Sequence, residues 1–71
     1  MTTKEIGKQY EEYAQDSMYL WKGVYLHIAR ICKTYHRTRA RKILLSNAKL
    51  TKGMAISSSY EFAAQRLRNR K

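Results

Sequence analysis

The chain has 71 residues, enough for one small domain with a modest core. Fifteen Lys and Arg against five Asp and Glu give a formal net charge of +10, which implies attraction to polyanions. One cysteine, Cys32, excludes an internal disulfide, and no secretory or membrane-spanning stretch is visible: the most apolar run, residues 18–32, is short and interrupted by Lys22, His27 and Arg30. These features describe a soluble, cytoplasmic protein.

The charge is uneven. Residues 1–36 hold five cations and four acids, a net of +1, whereas residues 37–71 hold ten cations and Glu61 alone, a net of +9. The first half therefore reads as scaffold and the second as a surface for something negative.

The first element is one long amphipathic helix over residues 3–36. Thr2 and Glu5 have the capping-box spacing. Ile6, Tyr10, Tyr13, Ala14, Leu20, Trp21, Val24, Tyr25, Ile28, Ile31, Cys32 and Tyr35 then share an arc roughly 140° wide, with Ser17 the one polar intruder. Such a helix is about 50 Å long, more than 35 further residues can cover. It must bend near Gly23 or be covered by a second copy. Tyr19 and Leu26, seven residues apart on the polar side, favour the second copy as a homodimer seam, with Tyr10, Tyr13 and Trp21 as further contact residues.

At HRTRARK, residues 36–42, the phase breaks by roughly 120°. Ala40, Ile43, Leu44 and Ala48 define a second helix over 39–50, and Gly53 marks the turn after it. Ser57, Ser58 and Ser59 offer caps, and Ser58 with Glu61 repeats the capping-box spacing. A third helix follows over 58–70, with Tyr60, Ala63, Ala64 and Leu67 inward. The expected fold is all-α: a long helix and two shorter ones in a single small helical domain, 1–71.

No catalytic constellation is present, so the chain reads as a non-enzyme without cofactor. Glu5, Glu11, Glu12 and Asp16 fall on the polar side or edge of the long helix, where solvated charges normally sit, and no pocket that would shape a general acid or base is suggested. Cys32 and His36 are spaced i, i+4, but zinc needs two further ligands and His27 lies on the opposite side, so no metal site is expected. The aromatic residues share their face with Ile6, Val24, Ile28 and Ile31, the pattern of a core.

The basic half carries the functional expectation. His36, Arg37, Arg39, Arg41 and Lys42 form one cluster and Arg66, Arg68, Arg70 and Lys71 another, with Lys49 and Lys52 between. Arginine's planar fork suits phosphate and guanine edges, and each phosphate contact makes binding salt-dependent. Residues 43–70, ILLSNAKLTKGMAISSSYEFAAQRLRNR, resemble helix-turn-helix and winged-helix regulators in their order of apolar helix, serine-rich turn and basic helix. The resemblance implies a last helix in the major groove, with Ser58, Ser59 and Glu61 at its reading end and Gln65 and Arg66 further along. The stretch between Leu50 and Ser57 is about one helical turn short of that motif, and no wing hairpin follows.

The leading expectation is a nucleic-acid-binding regulator, with DNA favoured slightly over RNA because RNP aromatics and a GXXG loop are absent. The alternatives are an adaptor or inhibitor of phage or mobile-element type docking on a larger acidic protein, and a ribosome- or RNA-associated protein. No membrane association is expected.

Overall fold

A computed structural model describes residues 2–68. They form four helices: α1 (Thr3–Gln15), α2 (Tyr19–Thr34), α3 (Arg37–Leu50) and α4 (Ile56–Arg66), with no strand among the described residues.

The N-terminal cap forms as its spacing predicts. Thr2 Oγ1 accepts from the Glu5 amide at 3.1 Å, and the Glu5 carboxylate accepts from the Thr2 amide at 2.7 Å. The long helix does not persist. It breaks at Asp16–Met18, not near Gly23, and the chain reverses so that α1 packs along α2. Ser17, the polar intruder in the stripe, sits at this break, where its Oγ donates to the Tyr13 carbonyl at 2.8 Å. Tyr19 enters α2 with φ +52, a left-handed conformation that is strained for a non-glycine residue.

A hairpin explains the stripe without a second copy. A single helix would leave most of its apolar face to a partner, whereas folding it in half lets each segment bury the other's face. Ile6, Tyr10 and Ala14 of α1 and Val24, Ile28, Ile31 and Cys32 of α2 are all buried. The helices approach closely at Gly7. A Cβ there would lie 3.0 Å from Lys33 Cγ, 3.1 Å from the Ala29 carbonyl oxygen and 3.2 Å from Cys32 Cβ. Lys33 and Glu11 add a surface ion pair of 2.6 Å across the same hairpin.

The expected bend at HRTRARK falls at Tyr35 and His36, both in extended backbone. Beyond it α3 buries Ala40, Leu44 and Ala48, with Ile43 partly buried beside them. The turn to α4 holds Gly53 at φ +93, a conformation glycine adopts freely.

The last helix starts earlier and ends earlier than its sequence predicts. It begins at Ile56, preceded by Ala55 and without any side-chain cap, so the Ser58–Glu61 capping box does not form. Ser58 Oγ instead donates back to the Ala55 carbonyl, and Ser57 Oγ reaches across to the Ala48 carbonyl at 2.9 Å, tying α4 to α3. Burying Ile56 against the core outweighs the serine caps.

Two helical hairpins result, α1 with α2 and α3 with α4, joined chiefly through α2. Ile28, Leu44 and Leu67 fill the shared centre. His27 Nδ1 and the Tyr60 hydroxyl, 2.8 Å apart, bridge α2 and α4.

Candidate nucleic-acid interface

Helical geometry divides the HRTRARK arginines. Arg37 and Arg41 are spaced with Leu44 and Ala48 along the face that α3 turns towards the core, and both are half-buried. Arg41 Nε is buried, with no hydrogen-bond partner among the described residues. Arg39 and Lys42 point the other way and are exposed. The HRTRARK cations thus divide, with Arg39 and Lys42 on the outer face of α3 and Arg37 and Arg41 on its inner edge.

The outer face has a definite shape. His36, Thr38, Arg39, Lys42, Ile43 and Ser46 line a shallow groove of about 490 Å³. Thr38, Lys42 and Ser46 recur at i, i+4, i+8, so two hydroxyls alternate with a cation along one ridge. The two hydroxyl residues are not evident as site residues in the sequence, although that spacing is legible in it. The Arg39 guanidinium lies 5.8 Å from the centre of the Tyr35 ring, which orients it beside the groove.

The electrostatics are one-sided. No carboxylate occurs anywhere in α3. Its first turn carries Arg37 and Arg39 where the helix macrodipole favours acids, and its N-cap residue, His36, makes no side-chain capping bond. The positive end of the helix and the cations therefore reinforce each other.

The remaining expected contact residues lie elsewhere. Lys49 and Lys52 border a notch between α3 and α4 with Leu45, Ala48, Ser57 and Glu61, where the Glu61 carboxylate offsets part of their charge. Ser58 and Ser59 line a different groove, of about 360 Å³, with Tyr10, Tyr13, Tyr25 and Phe62. Gln65 and Arg68 are exposed on and after the end of α4. Arg66 is engaged within the chain: its guanidinium donates to Gln9 Oε1 and lies 5.4 Å from the centre of the Tyr10 ring. It ties α4 to α1. Arg70 and Lys71 lie outside the described residues.

Of the expected partner-contact residues, Tyr19, Leu26, Tyr13 and Trp21 are exposed, whereas Tyr10 is buried, with 2 % exposure, and only borders the groove it lines with Tyr13 and Phe62. Burial pushes its phenol above the ordinary tyrosine value, opposed by the neighbouring Arg66.

Nothing metal-like assembles among the described residues. Cys32 is buried, and desolvation pushes its thiol up to about 11, so at neutral pH it is a protonated core side chain. Because α2 ends at Thr34, the i, i+4 relation between Cys32 and His36 is not a helical one. No described helix is long and apolar enough to cross a membrane.

No protein family, curated protein or solved structure matches the chain.

Proposed function

We propose that the protein binds nucleic acid through the outer face of α3. The observation that carries this reading is the acid-free ridge of His36, Thr38, Arg39, Lys42 and Ser46, backed by the positive end of its own helix. Arg39 and Lys42 neutralise phosphates, Arg39 with a planar fork held by Tyr35, and the two hydroxyls donate to phosphate oxygens. Duplex DNA is the favoured ligand. The helix is 14 residues, about 21 Å, long and its cationic side is not covered by another helix, a shape the major groove admits. Regulation of the bound sequence is the role such a module would serve.

The test is a titration against labelled duplex DNA and single-stranded RNA at low and at near-physiological salt, with Arg39→Gln/Lys42→Gln as the comparison. Each phosphate contact contributes about 0.9 to the log–log salt slope on duplex DNA and about 0.7 on single strands. The double variant should lower the duplex slope by about 1.8. If binding is absent at near-physiological salt and parent and variant behave alike, nucleic acid is not the ligand. The cationic ridge would then be sought in a complex with an acidic protein, by a pull-down that survives nuclease.

A further inference from the structure

The opposite end of the molecule differs in every respect. Met18, Tyr19, Leu20 and Trp21 are consecutive large apolar residues at the tip of the α1–α2 hairpin, and all four are exposed, by 70, 88, 57 and 37 %. A run of this kind on a monomer's surface ordinarily marks a contact. It continues into a concave patch. Trp21 and Tyr25 have ring centres 6.1 Å apart, Tyr25 and Tyr13 again 6.1 Å, and Tyr13 forms one wall of the 360 Å³ groove whose other side is Phe62 of α4. Phe62 is 61 % exposed and Tyr13 46 %.

Charge decides what this surface does not take. Residues 11–22 contain Glu11, Glu12 and Asp16 against Lys22 alone, a net of −2 in a chain of +10. The tip therefore offers no cluster of cations for nucleic acid or anionic lipid to hold. Area and shape indicate what it does take. At about 200 Å² for a fully exposed large side chain, Tyr13, Met18, Tyr19, Leu20, Trp21 and Phe62 leave on the order of 700 Å² accessible. That is close to the ~800 Å² each partner contributes to a stable interface. A protruding tip and an open aromatic groove also occur in one continuous patch, the self-complementary arrangement a two-fold interface needs.

We infer that the hairpin tip and the aromatic groove form the interface of a two-fold homodimer, each copy seating tip side chains in the other's groove. Tyr19 takes part through the tip, where its left-handed backbone projects the ring. Leu26 does not, since it lies round α2 in a separate shallow depression with Gly23, His27 and Arg30. The cationic ridge of α3 remains free on both copies.

Sedimentation equilibrium over a concentration series tests this, with Leu20→Asp and Phe62→Glu as disrupting variants and Leu26→Lys and Leu50→Lys as controls. The parent and both controls should approach twice the 8.4 kDa chain mass and stop there. The disrupting variants should remain at the single-chain mass with an unchanged helical circular-dichroism spectrum, as expected for substitutions at exposed positions. Trp21 is the one tryptophan, so its emission should move to shorter wavelength as the parent associates and stay fixed in the variants. A parent at single-chain mass throughout overturns the inference, as does a mass that climbs past two without a plateau. A dimer split by Leu26→Lys but not by Leu20→Asp or Phe62→Glu places the contact along the outer side of α2 and overturns it too.

Discussion

Gly7 and Gly23 offer a direct test of the hairpin, because each lies inside a helix and their surroundings differ. In either place alanine gains about 1 kcal/mol in helix propensity over glycine. At Gly23 a Cβ meets nothing within 4 Å, so that gain is fully expressed. At Gly7 the Cβ arrives 3.1 Å from the Ala29 carbonyl oxygen, a backbone atom that moves only if α2 moves, and 3.2 Å from Cys32 Cβ. Lys33 Cγ, at 3.0 Å, belongs to a side chain already held by Glu11. Inserting a methyl group into such a contact costs about 1–3 kcal/mol. Gly23→Ala should therefore stabilise by about 1 kcal/mol, while Gly7→Ala should range from neutral to about 2 kcal/mol destabilising. For a domain of this size each kcal/mol is about 4–8 °C in Tm, so the two variants should melt at least about 4 °C apart, followed by far-UV circular dichroism and checked by urea unfolding. Within one unbroken helix over 3–36 the Gly7 contact could not form, since Gly7 and Ala29 would lie about 33 Å apart. Equal stabilisation by both substitutions would refute the hairpin.

Two further outcomes follow from contacts within the chain. Arg66→Ala should destabilise by about 1–2 kcal/mol through loss of the Gln9 hydrogen bond and the Tyr10 ring contact, yet leave the salt slope of nucleic-acid binding unchanged; a slope that falls with stability intact would mean that Arg66 is a phosphate contact instead. The hydrogen bond from the Thr2 amide holds the Glu5 carboxyl below the ordinary carboxylate range, with the bond to the Thr2 side chain acting in the same direction. A depressed folded-state value makes the stability contribution complete above the unfolded value and removes it as pH falls through the folded one. The parent should therefore exceed Glu5→Gln in stability at neutral pH, with the gap closing in acid; a gap that persists to low pH would show that the capping-box charge contributes nothing.

The helical class, the Thr2–Glu5 cap, the bend after Tyr35 and the inner face of α3 were legible in the sequence, because each rests on local spacing. The chain reversal at Asp16–Met18 was not. Two antiparallel helices that bury their faces against each other can keep one apolar phase across the turn between them, so the periodicity runs on as if unbroken. Nor did a glycine or proline punctuate it, because Tyr19 adopts the left-handed conformation itself. Ser17 was the only mark of the turn. The split of the arginines is also written in the sequence: Arg37, Arg41, Leu44 and Ala48 follow helical spacing, which places the first two beside the core. The contact of Arg66 with Tyr10 was out of reach, since 56 residues separate them and only the packing of α4 beside α1 brings them together.

Those same contacts explain why the basic half is not one surface. A net charge of +10 on so short a chain repels itself, and within the basic half Arg66 is absorbed by the fold through Gln9 and Tyr10. Arg39 and Lys42 are placed differently. They stand on a helix without acids, near an end where acids would have been stabilising and where no side chain caps the backbone. Within the chain, only the contact of Arg39 with the Tyr35 ring offsets that unfavourable placement among the described residues. An anion bound along the ridge would supply the missing counter-charge, as Glu5 does for the first turn of α1. The acid-free, cationic start of α3 is what supports the proposal that this helix binds an anion.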